Sequence, residues 1–251
     1  MKTFILILFV LFITIKLPAQ QFIDKGVIEY EVKTNIKKTM GNNSWDEKLK
    51  ELMPQFKTGY YLYTFADNKS IYKFDHWEPN LKIPEHLRRN DEENIWYFDH
   101  STNKFSMKKA VFGSDFITED TIPAINWKVT NESRVIAGFN CRKAEGKISD
   151  SVFVFAYYTD EILIPGGPCS INGLPGMILG VTIPRMYTSW IATKIIVNNV
   201  PVNSIKPVSS KKSFNMLSMK RTIQERTKDW IRGDDPDSKK WMEQLLWNII
   251  L

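Results

Sequence analysis

Each of the three histidines in this 251-residue chain follows a carboxylate: Asp75-His76, Glu85-His86 and Asp99-His100. An imidazole beside a carboxylate is the raw material of a metal site or of a general base. In a strand, however, neighbouring side chains point to opposite faces, so Asp75 and His76 would not chelate one ion together. A metal site would need hairpin ends to bring His76, His86 and His100 together from three places in the chain. Met216 and Met219, with Met186, add soft thioethers of the kind that hold Cu(I), although methionines at i,i+3 equally make a core-facing helix stripe. Nucleophilic hydrolysis would need a nucleophile, a base and an orienting group. No histidine lies in a Gly-x-Ser-x-Gly or similar context, and no catalytic residue is assigned.

The first nineteen residues, MKTFILILFVLFITIKLPA, read as an export signal. Lys2 supplies the positive start and Phe4 to Ile15 an apolar core of about a dozen residues, short of the roughly 20 that a spanning helix needs. Cleavage is expected after Ala19 or Gln20. Removing Lys2 and Lys16 lowers the formal net charge from +6 to +4, a mild balance spread along the chain. That balance would allow an anionic lipid or nucleic acid as partner, and the export signal argues against nucleic acid. No later run is long and apolar enough to cross a bilayer. Cys141 and Cys169 are the only cysteines. In an oxidising compartment an even count suggests a disulfide, with two buried free thiols as the alternative.

Residues 166–180, GGPCSINGLPGMILG, hold the densest pattern. Pro175 presets φ for the second position of a turn and Gly176 can take the positive φ of the third, so Leu174 to Met177 is expected to form a type II turn. A phosphate cradle would open a helix with a lysine close behind. Here a strand-like run follows, and the next lysine is Lys194.

The surrounding elements read mainly as strands. Residues 26–34 alternate, with Ile28, Tyr30, Val32 and Thr34 on one face. Hairpins are expected at 60–74 and 95–108, and further strands at 116–117, 126–130, 133–136, 152–158, 177–183 and 189–197. Residues 44–53 switch to helical spacing and stop before Pro54. Residues 78–93 are charged and Pro-punctuated, as in a surface loop with one helical turn. From 213 on the chain is helical in pattern, and Asp235-Pro236 would open a last helix whose stripe includes Trp241, Met242, Leu245 and Leu246. Alternation divides the aromatics Tyr60, Tyr61, Tyr63, Tyr72, Trp77, Trp96 and Tyr97 between the two faces of a sheet, so that about half pack a core and those exposed on one face could grip a ligand. The expected fold is mainly β (α+β): a curved antiparallel sheet, sandwich or partly open barrel, with one early helix and C-terminal helices.

The stretch from Asn172 to Leu179 resembles the signature of the GLPGLI family, exported proteins mostly of unknown function and common in Bacteroidota. The signature turn is Gly173, Leu174, Pro175 and Gly176, and Met177 stands where the family name has leucine. Trp127-Lys-Val-Thr, then Ile136 to Ala144, then Ala156 to Ile162, and the Gly167-Pro168 step are similar to family segments in the same order. The resemblance implies export and a β domain; the similar segments lie within residues 120–183, and the strand rhythm extends the domain to residues 20–205, after the signal peptide at 1–19, while the helical segment at 206–251 lies outside the resemblance. It implies no cofactor and no settled activity. The expectation is a non-enzymatic binding or accessory module of an outer-membrane assembly, with a receptor or transporter as partner. The alternative is a metal-binding protein using the histidines of the hairpin region.

Overall fold

Apolar and polar residues alternate through most of the chain after residue 26, and in the computed structural model these runs become strands. The structure describes residues 22–41, 44–85, 88–149, 152–230, 242–244 and 246–247. The signal segment, His86 and the start of the last helix at Asp235-Pro236 lie outside them. Among the described residues eleven strands form one open antiparallel sheet. They are β1 (Gly26–Asn35), β2 (Phe56–Ala66), β3 (Lys69–Trp77), β4 (Ile95–Asp99), β5 (Lys104–Val111), β6 (Ser114–Thr121), β7 (Lys128–Ile136), β8 (Phe139–Ser149), β9 (Val152–Thr159), β10 (Met177–Ile183) and β11 (Thr188–Ile196). Their order across the sheet is β6-β5-β4-β3-β2-β1-β11-β10-β9-β8-β7. Among the described residues the bounded α-helices are α1 (Ile36–Thr39), α2 (Ser44–Leu52), α3 (Arg89–Glu92) and α4 (Met216–Thr227), and residues 242–244 and 246–247 are also helical.

Short turns enforce this order. The β2–β3, β5–β6 and β7–β8 turns each place two residues at positive φ: Asp67-Asn68, Phe112-Gly113 and Ala137-Gly138. That backbone is the type I′ hairpin turn, whose twist matches the strands it joins. Strands expected separately at 126–130 and 133–136 are one strand, β7, interrupted by a bulge between Val129 and Ser133. The bulge is tied by Glu132 N–H donating to Thr130 Oγ1 at 3.2 Å.

The connection from β6 to β7 constrains the whole sheet. These strands stand at opposite edges, and in a flat sheet they would be about 48 Å apart at ~4.8 Å per strand. Residues 122–127 join them and reach at most about 25 Å when extended. The sheet therefore curls, and one face becomes concave. Tyr30, Tyr63, Tyr72, Trp96, Phe98, Met107, Val181 and Trp190 are buried on that side in one core cluster.

The two edges are protected differently. Phe214 pairs along β6, donating its N–H to Ile117 O and accepting from Glu119 N–H, each at 2.8 Å. Directly after it α4 begins, closed by a reciprocal cap between Asn215 and Ser218. Met219 and Ile223 anchor this helix in the core, and Thr118 Oγ1 donates to Met219 Sδ at 3.0 Å. Strand β7 instead carries exposed charges and its bulge, which deter pairing with another chain. Beyond α4, Met242 is buried and Glu243 accepts from Arg185 Nη2 at 2.7 Å, so these residues pack on their own domain. Among the described residues no helix is long and apolar enough to cross a membrane.

Candidate functional site

Between β9 and β10 the chain does not turn at the surface. Residues 162–176 fold back across the concave face and are mostly buried. The segment bonds to itself and to its flanks: Gly173 N–H to Pro165 O at 3.1 Å, Ile178 N–H to Gly166 O at 2.9 Å, and Met177 N–H to Ile162 O at 3.0 Å. Trp127, from the edge-to-edge connection, donates its Nε1–H to Asn172 O at 3.0 Å. From the opposite side Tyr30 Oη donates to Ile178 O at 2.5 Å. The segment thus ties together β1, β10 and the β6–β7 connection.

The expected type II turn is replaced by a tighter one. Gly176 N–H bonds to Leu174 O at 2.8 Å, two residues back, while Met177 N–H is committed to Ile162 O. The buried Leu174 side chain and the strand partner at Ile162 pull the chain into this shorter loop. Gly173 takes φ +89° and Gly176 φ +139°. Gly173, Pro175 and Gly176 shape the backbone, Leu174 anchors it in the core, and none of the four presents a reactive group.

Cys141 and Cys169 are free thiols, which corrects the expected disulfide. Cys141 lies on β8 and donates to Phe139 O at 3.5 Å. Cys169, at φ 53°, sits in the crossing segment among Tyr72, Trp190 and Lys109. Each sulfur is committed to its own set of neighbours. Burial pushes the Cys141 thiol up to about 11 and the Cys169 thiol up to about 12. Because the thiolate is the reactive form, the folded protein at pH 8 is expected to leave both unlabelled by a thiol reagent over minutes. Full denaturation without reductant should release two equivalents. One fast equivalent in the folded state, or none after denaturation, would contradict this assignment.

Beside Cys169 the concave face opens into a cavity of about 330 Å³. Its mouth is set by Gly59, where the lack of a side chain lets the Trp77 ring lie against β2; a Cβ there would meet that ring at 2.9 Å. Trp77 Nε1–H donates to Glu92 at 2.5 Å, and Lys57 pairs with Asp91 at 2.6 Å. Deeper in, Trp96, Trp190, Tyr61 and Tyr72 form the walls. Tyr61 and Tyr72 stack with ring centroids 5.3 Å apart. Lys109 reaches in from β5, 7 % exposed, with its Nζ 5.7 Å from the Trp96 ring. It has no ion pair or hydrogen bond among the described residues. Burial holds its amine below the ordinary lysine range, opposed by Cys169 and Asp91. The Tyr72 hydroxyl is also buried with no well-formed hydrogen bond, the Cys169 thiol beside it being a weak partner.

Solved structures share features of this fold. Two structures of PNGF-II, from C2 and P21 crystals, superpose with TM-scores of 0.53 and 0.52 at 14 % identity. Each match covers 80 % of this chain but only 33 % and 34 % of the PNGF-II chain, so the protein spans about a third of the length of that neighbour. At such identity the likeness concerns the β-rich fold. No protein-family model and no curated protein matches the chain.

The histidines that can be placed do not converge. His76 lies near the end of β3, exposed, stacked on Tyr60 with centroids 4.6 Å apart and bonded through Nδ1 to Asp75 at 2.7 Å. His100 follows β4 and donates its backbone N–H to Asn68 O at 2.9 Å, at the other end of β3. Seven residues of strand, about 23 Å, separate those two ends. Among the described residues no group of three His, Cys, Asp or Glu side chains is placed to hold a metal ion. Met219 is core, as its contact with Thr118 shows.

His100 has a different consequence. Burial lowers its pKa to about 4, against the opposing pull of Asp99, and the ring stacks on Phe98. The unfolded imidazole takes its proton near 6.5, so between pH 6.5 and about 4 the unfolded chain binds more protons. Stability should fall as pH drops through that window and stop responding to this group below about 4. The ceiling is about 3 kcal/mol. Urea melts from pH 7 to 4 should show the slope, and His100→Gln should flatten it; an equal slope in both proteins would assign it elsewhere.

Proposed function

We propose that the chain is an exported cell-envelope protein of the GLPGLI type that acts by binding, as an accessory module of an outer-membrane assembly. The observation that carries the binding reading is the aromatic cavity on the concave face, partly walled by the segment that leads to the signature turn. Gly173, Pro175 and Gly176 act on backbone shape and Leu174 packs into the core, which suits a segment selected to build a pocket wall and presents no nucleophile. The N-terminal pattern from Lys2 to Ala19 supports export. For the architecture we favour a partly open barrel over a sandwich, because the six-residue β6–β7 connection draws the two sheet edges towards each other.

The test is in-cell cross-linking of a tagged protein in intact envelopes, followed by purification and mass spectrometry. Enrichment of one outer-membrane receptor or transporter over an untagged control is the expected outcome. Recovery from the cytoplasmic fraction with an intact N-terminus would overturn the export claim, and recovery from the envelope without any enriched partner would overturn the accessory claim.

A further inference from the structure

Two hydrogen-bond donors on buried residues line the same cavity without an oxygen acceptor among the described residues. One is the Lys109 ammonium, and the other is the Tyr72 hydroxyl. Burying an ammonium without a counter-charge is strongly unfavourable, and a buried hydroxyl without a partner is unfavourable too. The nearby groups do not resolve either deficit. Asp91 is engaged with Lys57 at the mouth, and the Cys169 thiol is protonated at neutral pH and carries no charge. Both donors ask for oxygen acceptors, and one of them asks for negative charge. The rings of Trp77, Trp96 and Trp190 offer faces to a flat or cyclic body, beside aliphatic side chains such as Val32 and Ile36 and polar ones such as Thr34, Asn94 and Thr188. The volume of about 330 Å³ lies at the small end of ligand pockets.

Resting on the binding reading above, we infer that this cavity takes a small ring-bearing carboxylate, with its carboxylate on Lys109 and Tyr72 and its ring among Trp77, Trp96 and Trp190. The alternation of β5 explains how the cation comes to be there. Phe105, Met107, Lys109 and Val111 share the concave face, whereas Lys108 points outward to Asp115 at 3.0 Å. Replacing Lys108 therefore removes the same formal charge without touching the cavity.

The experiment is a titration of the full mature chain, followed by tryptophan fluorescence and confirmed by calorimetry. The probes are 2-naphthoate, galacturonate and the neutral 2-naphthalenemethanol. One of the two acids should bind, and which one does so separates an aromatic acid from a sugar acid as the source of the carboxylate. If 2-naphthoate binds, the neutral analogue should bind about tenfold more weakly or worse, as expected for a lost charged hydrogen bond. Lys109→Met should weaken the acid about tenfold while leaving the neutral analogue within about twofold, and Lys108→Met should change neither. Equal binding of 2-naphthoate and its neutral analogue to the unaltered protein would overturn the inference without recourse to any variant. So would the failure of both acids to bind at millimolar concentration, or an unchanged affinity in Lys109→Met. Those outcomes leave a cross-linked protein partner untouched, so failure here and failure of the accessory reading are read separately.

Discussion

Gly176→Ala is expected to destabilise the protein by about 3–5 kcal/mol, from a backbone region that only glycine adopts readily together with steric overlap. Gly176 sits at φ +139°, and an added Cβ would run into the carbonyl oxygen of Thr159, a backbone atom held in the β9–β10 pairing. No side chain can swing aside to relieve that contact. For a domain of this size each kcal/mol shifts the midpoint by roughly 2–4 °C, so thermal unfolding should begin about 10 °C or more lower. Gly113→Ala is the matched comparison. It also has positive φ, +73°, but an added Cβ would find nothing within 4 Å. Its cost should be confined to backbone strain, about 1–2 kcal/mol. Equal melting points for the two variants would show that the crossing segment yields to accommodate a side chain at 176.

Trp96→Ala should cost about 3–5 kcal/mol, the range for emptying a large aromatic from a core. Trp96 is 1 % exposed, stacks on Phe98 with centroids 6.0 Å apart, and packs on Phe105 at 5.8 Å. Its loss would also take the ring face from beneath the Lys109 ammonium. Trp96→Phe keeps an aromatic in the layer and should recover more than half of the loss. Denaturant unfolding of the three proteins checks this, and a Trp96→Ala midpoint equal to the native one would mean that the neighbouring rings collapse into the space.

Much of the architecture is legible from residue order because it is local. Ile28-x-Tyr30-x-Val32 declares its buried face, and Asp67-Asn68 declares its turn. The turns at Phe112-Gly113 and Ala137-Gly138 are harder to read, because Phe and Ala ordinarily avoid positive φ and only the following glycine marks them. Histidines drew attention to hairpin ends that lie at opposite ends of β3. Lys109, in contrast, is hidden within a Lys-Lys pair that reads as a solvated charge unless the alternation from Phe105 is carried through it. The crossing segment is the least legible part. Glycine and proline mark a change of direction, yet nothing local says that Gly166 to Asn172 will be covered by the sheet they leave. The free thiols follow from the same long-range packing.

The strand order has a consequence for how the molecule comes to be made. From β1 to β6 each strand pairs with the next in the chain, and from β7 to β11 the same is true. The exception is the seam where β1 meets β11, pairing Val27 with Ile196 and Thr34 with Thr188. Two meanders can therefore zip up from neighbouring hairpins before the ends of the chain find each other. The seam carries the largest loop-closure entropy of any strand pairing, so it is placed to form late. A nascent chain would hold a nearly complete six-stranded half, its β1 edge open, until the last strand emerged to shut it.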